Sequence, residues 1–480
     1  MPHDLRTYVA ALIAKDPGQL KVVSRAVDPE FEVAAIIDKI EGDSRYPDFP
    51  AVLFTNVRGS SVPLLINLHG TYERLALAIG TDLHGMVATY AAREGAPLPT
   101  TLVGAADAPV QEVVLEGDDI DVGALPLLVH NELDAGKYIT SAFTICRDPE
   151  SGRQNAGIFR HQLQGPRQVG IQVNPAHHTA YVLRSLRERG EKRMPVALVI
   201  GHHPALLMGA VSKLEGIGGE MEVAGGLLGE SVEMVQARSV DLQVPARAEI
   251  VIEGYIDTDP ETVQTEGPFG EYPRYYTRVG PQPYVTITAV TMRREPIYVD
   301  VFNAHTEHSM LGGLPRMGSI YRRVKEAMPS VTMVNLPLSG MARSHLYLSM
   351  KKRVEGEPKI AAAAALAVDP LLKHIFIVDE DVDVFNETDV LWCLATRFQA
   401  DRDLTTLPNF LGGHLNPVTY GFHREEKGPM ETKLIFDLTR PAPPEKFPPM
   451  CRVPPEVVER VQPSELLEDW QPGVRVAGLG

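Results

Sequence analysis

The chain carries only three cysteines, Cys146, Cys393 and Cys451, scattered over 480 residues. That number and spacing exclude a disulfide framework and a zinc knuckle. Basic residues are also in deficit: 46 Lys and Arg against 62 Asp and Glu leave a formal charge of -16. Phosphate-backbone binding needs clustered cations, so no nucleic-acid partner is expected. No apolar run approaches the ~18–20 residues of a membrane span, and the smoothest, 361–368, is short and rich in alanine. The start, Met1-Pro-His-Asp-Leu5, lacks the basic segment and apolar run of a signal peptide. The sequon Asn386-Glu-Thr388 is then read as chance, and a cytoplasmic protein with no membrane partner is expected. There is no internal repeat.

What is present is an ordinary globular composition, 44% hydrophobic and 22% charged, long enough for about three domains. The pattern predicts a mixed α/β (α+β) fold. Residues 1–109 read as an N-terminal α/β domain, with a helix at Leu5–Ile13 and a strand at Ala51–Thr55. Residues 110–307 are mostly β and suit a split β-barrel. Its expected strands are Val110–Leu115, Thr140–Ile145, Gly157–Gln164, Pro195–Ile200, Ala248–Ile256 and Tyr284–Arg293, with one helix, Thr179–Arg189, closed by Gly190. A connector helix is placed at 308–328, its Met and Leu face running from Met310 to Met328. Residues 329–440 read as a C-terminal α/β domain with helices at Lys351–Val368 and Glu387–Ala400 and a buried strand at His374–Asp379. The proline-rich tail, 441–480, turns helical near Pro454–Val461 and suits either a subunit contact or a free linker.

The most informative local feature is a pair of carboxylates on a stiff spacer, Glu266-Gly-Pro-Phe-Gly-Glu271. Pro268 pushes Gly267 towards extended geometry, and both glycines allow close backbone approach. Two carboxylates in unlike settings tend to split their pKa values into an acid and a base. Taken alone, the spacing is that of a polar turn between strands. The aromatic stretch Tyr272-Pro-Arg-Tyr-Tyr276 that follows suits the wall of a pocket for a flat ligand.

Upstream, Asn155-Ala-Gly-Ile-Phe-Arg160 lies on an expected strand. An arginine beside two glutamates presents a fork of donors and holds a carboxylate ionised; by itself it is an ordinary surface ion-pair residue. Strict alternation puts positions five apart on opposite faces, so Asn155 and Arg160 need a bulge near Gly157 or separate tasks. Asn174-Pro-Ala-His-His178 opens the next helix, and Gly218-Gly-Glu-Met-Glu222 precedes another glycine-rich run. Asn155, one histidine and one glutamate would make an oxygen–nitrogen–oxygen set that favours Mg2+ or Mn2+ over structural zinc.

Together these segments resemble the UbiD family of reversible decarboxylases that use prenylated FMN, over residues 4–440. Supporting stretches are Val244-Pro-Ala-Arg-Ala-Glu-Ile-Val-Ile-Glu-Gly254, Val378-Asp-Glu-Asp-Val-Asp383 and Val390-Leu-Trp-Cys-Leu-Ala-Thr-Arg397. The resemblance implies that Arg160, Glu266 and Glu271 form the catalytic network, with Glu271 as proton donor. It implies Asn155, His178 and Glu220 as ligands of Mn2+ (or Mg2+) at the cofactor phosphate, with K+ as an optional accessory ion. Ile158, Phe159, Arg160, His177, His178 and the late lysine Lys433 are implied at the flavin, with His177 adjacent to His178 as the alternative ligand. It further implies an aromatic, heteroaromatic or α,β-unsaturated acid substrate, a flavin prenyltransferase as cofactor supplier, and a homodimer or larger assembly. Side chains from 302–317 and 411–420 would then shape the substrate pocket.

The rival reading is a metal-dependent hydrolase built on His305-Thr-Glu-His308 and His202-His203. The first lacks the i, i+4 histidines of a helical zinc site. Gly216-Ile-Gly-Gly219 lacks the spacing of a dinucleotide-binding turn.

Overall fold

Runs rich in Val and Ile make Arg193–Ile200, Ile250–Asp257 and Tyr284–Met292 long neighbouring antiparallel strands. Alternation sends Val196, Leu198, Ile250 and Ile252 into one buried cluster, and Ala197, Val199 and Val251 into a second on the other face. The sheet is therefore covered on both sides. The computed structural model describes residues 3–44, 46–175, 177–212, 216–419 and 428–466. Tyr420, at the end of the expected pocket stretch, and the tail beyond 466 lie outside the described residues.

Nine strands share this central sheet. Its order runs Tyr138–Ile139, His161–Gly165, Gln168–Ile171, Tyr284–Met292, Ile250–Asp257, Arg193–Ile200, Phe143–Arg147, Gln154–Ile158. Val113–Glu116 pairs with Tyr284–Met292 off that path. Gln154–Ile158 and His161–Gly165 are separated by Phe159 and Arg160 alone, yet they lie near opposite ends of the order. Three residue steps cannot reach beyond ~11 Å. The sheet must curl until its ends nearly meet, which gives a split barrel with Arg160 on the seam. The strand expected at Gly157–Gln164 is thus two strands, broken where the chain crosses from one end of the sheet to the other.

The N-terminal helix, Leu5–Lys15, starts from a capping box between Asp4 and Thr7. The sheet beside it, Leu20–Val23, Ala51–Phe54 and Leu64–Ile66, takes its fourth strand, Tyr298–Val299, from the end of the central segment. The expected connector helix is two helices, Thr306–Met310 and Gly313–Ala327. Adjacent Gly312 and Gly313 weaken the helix there. Pro315 lacks an N–H and is tolerated only in a first turn, so a new helix begins beside it. Its buried Leu314, Met317, Ile320 and Val324 share a core with Tyr90 on one side and Leu346 and Ile375 on the other.

The last sheet is ordered Val331–Asn335, His345–Met350, His374–Asp379, Met430–Asp437, Leu404–Leu411. Its central three strands are parallel, and Glu357–Val368 makes the crossover between the first two of these. That helix begins six residues later than expected because Pro358 belongs in its first turn. Among the described residues no helix is long and apolar enough to cross a membrane.

Candidate active site

Arg160 leaves the barrel seam with only 8% of its surface exposed. Its Nε and Nη2 donate to the two oxygens of Glu266 at 2.8 and 2.7 Å, a bidentate pair. Nη1 donates to Glu271 Oε1 at 2.7 Å, and Nη2 also reaches Thr277 Oγ1 at 3.2 Å. The guanidinium lies 4.9 Å from the ring centre of Phe269. Glu266 receives a further long contact from the Tyr138 hydroxyl at 3.4 Å. One guanidinium therefore joins both carboxylates of the six-residue segment.

The segment is shaped for this by its backbone. Glu266 ends the short ladder Gln264–Glu266, which pairs with Gly280–Gln282. Gly267 is not extended, as Pro268 led us to expect; its φ is +87°, a left-handed conformation that suits glycine. Its carboxyl-terminal end is pinned by side chains. Asp134 Oδ1 accepts from Gly270 N at 2.8 Å, and Asn303 Nδ2 donates to Gly270 O at 3.1 Å.

Burial raises the Glu271 carboxyl above the usual glutamate range, against the downward pull of Arg160 and Arg343. Arg160 is itself held charged: its two glutamates outweigh burial and raise its pKa. The unlike settings of the two carboxylates are thus real. Glu266 is bidentate and 1% exposed, whereas Glu271 gives Arg160 only one oxygen.

A second cluster stands five residues upstream. Asn155 is buried, and its Oδ1 lies 3.0 Å from His178 Nδ1. Glu220 Oε2 accepts from the backbone N–H of Ala156 at 3.2 Å. His178 opens the helix His178–Glu188, and Glu220 opens the helix Glu220–Leu228, so two helix starts converge on one edge strand. His177 points elsewhere, its ring edge-on to Phe159 at 5.6 Å. Burial pushes Glu220 up to about 7, and among the described residues it has no ion-pair partner. Such a carboxylate, beside an amide oxygen and an imidazole, fits a divalent cation. The described residues hold no group of three His, Cys, Asp or Glu that could bind a metal; the third member here is an amide. Cys146 packs against Asn155 and Thr179, and burial pushes its thiol up to about 12.

A cavity of about 350 Å³ opens on Arg160 and Glu266, walled by Gln172, Thr277, Gln282 and His414. Its size is within the range of small-molecule sites. Ile158 and Phe159 immediately precede Arg160 on the chain, Phe159 buried and Ile158 partly so. Lys433 is not brought to this cluster. Its ammonium donates to the Pro370 carbonyl at 2.8 Å and pairs with Glu431. Glu431 in turn holds Asn416, in the loop that carries His414 and Thr419 to the cavity. Tyr138, Thr277, Phe269, Asp134 and Asn303 escaped sequence reasoning, since lone polar and aromatic residues far from the motif carry no spacing signal.

The histidines of the hydrolase reading are dispersed. His202 and His203 are buried at the start of the helix Pro204–Ala210, and His305 stacks on Phe302 at 3.7 Å. Nothing supports that reading.

A buried arginine that ties two unlike carboxylates beside a ligand-sized cavity, on a curled β-sheet, is an arrangement suited to acid–base chemistry. Models of the N-terminal, Rift-related and C-terminal domains of 3-octaprenyl-4-hydroxybenzoate carboxy-lyase match residues 13–93, 101–305 and 309–438. The chain belongs to the UbiD family and is a carboxy-lyase of that class. It is 32% identical over 427 residues to anhydromevalonate phosphate decarboxylase of Methanothermobacter thermautotrophicus, covering 89% of this chain and 95% of that one. The UbiD-class enzyme HmfF of Pelotomaculum thermopropionicum, solved with FMN, superposes with a TM-score of 0.88 at 37% identity, covering 97% of this chain and 100% of that one. The 3,4-dihydroxybenzoic acid decarboxylase AroY of Klebsiella pneumoniae superposes with a TM-score of 0.85 at 29% identity, covering 95% and 99%.

Proposed function

We propose that this chain decarboxylates an aromatic, heteroaromatic or α,β-unsaturated carboxylic acid with prenylated FMN as cofactor. The observation that carries the reading is Arg160 bridging Glu266 and Glu271, with the second oxygen of Glu271 left outside the guanidinium. HmfF binds FMN, and a dimeric form of it binds prFMN, which supports the cofactor and suggests a homo-oligomer here. The similar enzymes act on a dihydroxybenzoic acid and on anhydromevalonate phosphate, which spans both the aromatic and the non-aromatic part of the proposed class.

Loss of CO2 from an sp² carbon leaves a lone pair that side chains alone stabilise poorly. A covalent electron sink for that carbon is what the modified flavin supplies when bound. The protein's part is orientation and proton control. Glu266 fixes the plane of Arg160; Arg160 fixes one oxygen of Glu271; the raised pKa keeps Glu271 a carboxylic acid nearer to neutral pH. Glu271 then donates its proton to the carbon that has lost CO2. Asn155, His178 and Glu220 would hold Mn2+ or Mg2+ at the flavin phosphate, with K+ as an accessory. Ile158, Phe159 and His177 would line the ring, and Lys433 would back the cavity wall through Glu431.

Protein co-expressed with a flavin prenyltransferase is expected to absorb in the near-UV and visible and to release CO2 from a panel of such acids. The panel should hold hydroxybenzoates, furan and pyrrole acids, and anhydromevalonate phosphate. A colourless protein, or no release from any member, would sink the reading. Asn155→Ala and His178→Ala are each expected to lower both metal and flavin content after purification. Unchanged occupancy by metal analysis and absorbance would remove these residues from the metal set.

A further inference from the structure

The motif His305-Thr-Glu-His308 has no place in the reaction as described above, yet one of its histidines faces the proposed proton donor. His308 Nε2 lies 3.8 Å from Glu271 Oε2, with 19% of the imidazole exposed. The backbone N–H of Ala304 donates to His308 Nδ1 at 3.3 Å. A backbone N–H cannot accept, so Nδ1 is the acceptor nitrogen and the neutral ring carries its hydrogen on Nε2. Burial, with Arg343 and Arg160 nearby, pushes His308 down to about 3, so the ring stays neutral through the physiological range.

The motif is held rigidly for this. Glu307, fully buried, accepts from the N–H groups of Asn67 and His69 at 2.8 and 2.9 Å, which docks the N-terminal segment onto it. His305 stacks on Phe302. On the far side Arg343 lies 4.2 Å over the ring of Tyr272 and donates to the Ser309 carbonyl at 2.8 Å. The charged and titratable groups around the pair are thus Arg160 with Glu266 behind it, Arg343, Tyr272 and, beyond His308, His130.

We propose that His308 is a positioning residue for Glu271: its Nε2–H is the hydrogen-bond donor that receives Oε2 once the acid has given up its proton. While Glu271 is protonated, Oε1 accepts from Arg160 and the proton resides on Oε2. The imidazole nitrogen and that oxygen stand 3.8 Å apart, beyond hydrogen-bond distance, so the acid form is not held by His308. In the transfer the Oε2–H bond breaks and a C–H bond forms at the carbon that has lost CO2, using the electron pair left by the departing carboxylate. His308 keeps its own hydrogen, and solvent reprotonates Glu271 before the next turnover. A neutral donor suits this role better than a cation, because it favours the carboxylate without abolishing the acid form.

The proposal rests on Glu271 being the donor. The test is the pH profile of kcat in flavin-loaded His308→Leu, His308→Gln and His308→Asn, with Glu271→Gln alongside. A hydrogen bond to a charged group is worth enough to move a pKa by about one unit. The alkaline limb of kcat is therefore expected to rise by about one pH unit in His308→Leu, with the plateau lowered several-fold and KM within about twofold. Glutamine, which keeps an N–H at similar reach, is expected to restore the limb. Asparagine, which falls short, is expected to behave as leucine and decides the matter should the leucine variant not fold. An unmoved limb with raised KM would make His308 a substrate contact and overturn the proposal. If Glu271→Gln turns over normally, the donor assignment itself falls. If it is inactive and the limb still does not move, only the role of His308 falls.

Discussion

Glu271→Gln is expected to lower turnover by about 10²–10⁴-fold while leaving flavin content unchanged. The substitution is nearly isosteric, and the amide oxygen still accepts from Arg160 Nη1, now 2.7 Å from Oε1. What is removed is a transferable proton, so the loss should fall on kcat rather than on KM. The same assignment fixes a sign for the pH dependence of the native enzyme. Glu271 must be protonated to act, and burial raises its pKa. Activity should therefore persist at lower pH and fall as pH rises through that raised value. Turnover and absorbance measured on one preparation decide the point, and near-normal turnover with bound flavin would refute the acid role.

Arg160→Met is expected to abolish turnover and to destabilise the protein. The native arrangement takes Arg160 and Glu266 almost entirely out of water, with side-chain exposures of 6% and 1%. A buried pair contributes modestly as a pair, but removing one partner leaves an uncompensated charge at a cost of about 3–5 kcal/mol. Glu266 would then gain a proton or drag water into the seam, and Glu271 would lose the contact that selects Oε1. Arg160→Lys keeps the charge but not the fork, so it should recover part of the stability and little of the activity. Denaturant unfolding together with CO2 release checks both halves; a methionine variant as stable and active as the parent would remove the guanidinium from the centre of the site.

Much of this was legible in residue order. The carboxylate pair, the arginine and the Asn–His–Glu candidates are local motifs, and local motifs survive in one dimension. The long Val- and Ile-rich strands and the helix Thr179–Arg189, observed at His178–Glu188, follow from periodicity and turn chemistry. The failures have equally specific causes. Glu220–Leu228 is a helix that the sequence does not announce, because Gly225 and Gly226 have low helix propensity. Gly226 is needed because a Cβ there would stand 2.7 Å from the Arg93 and Ala96 carbonyls, a constraint imposed by residues more than a hundred positions away.

The puzzle of Asn155 and Arg160 belongs to the same class. Treated as one strand, they could not share a face; the break at Phe159–Arg160 and the curl of the sheet give them separate sites instead. Chain order was enough to single out Arg160, Glu266 and Glu271 as candidates, through the resemblance their short segments carry together, because such segments keep their residue types and spacing in one dimension. Which oxygen of Glu271 meets Arg160, which histidine meets Asn155, and that His308 faces the acid all depended on packing between distant segments. Those contacts arise from the closing of the barrel and the docking of Glu307 on the N-terminal backbone, and no spacing along the chain encodes them.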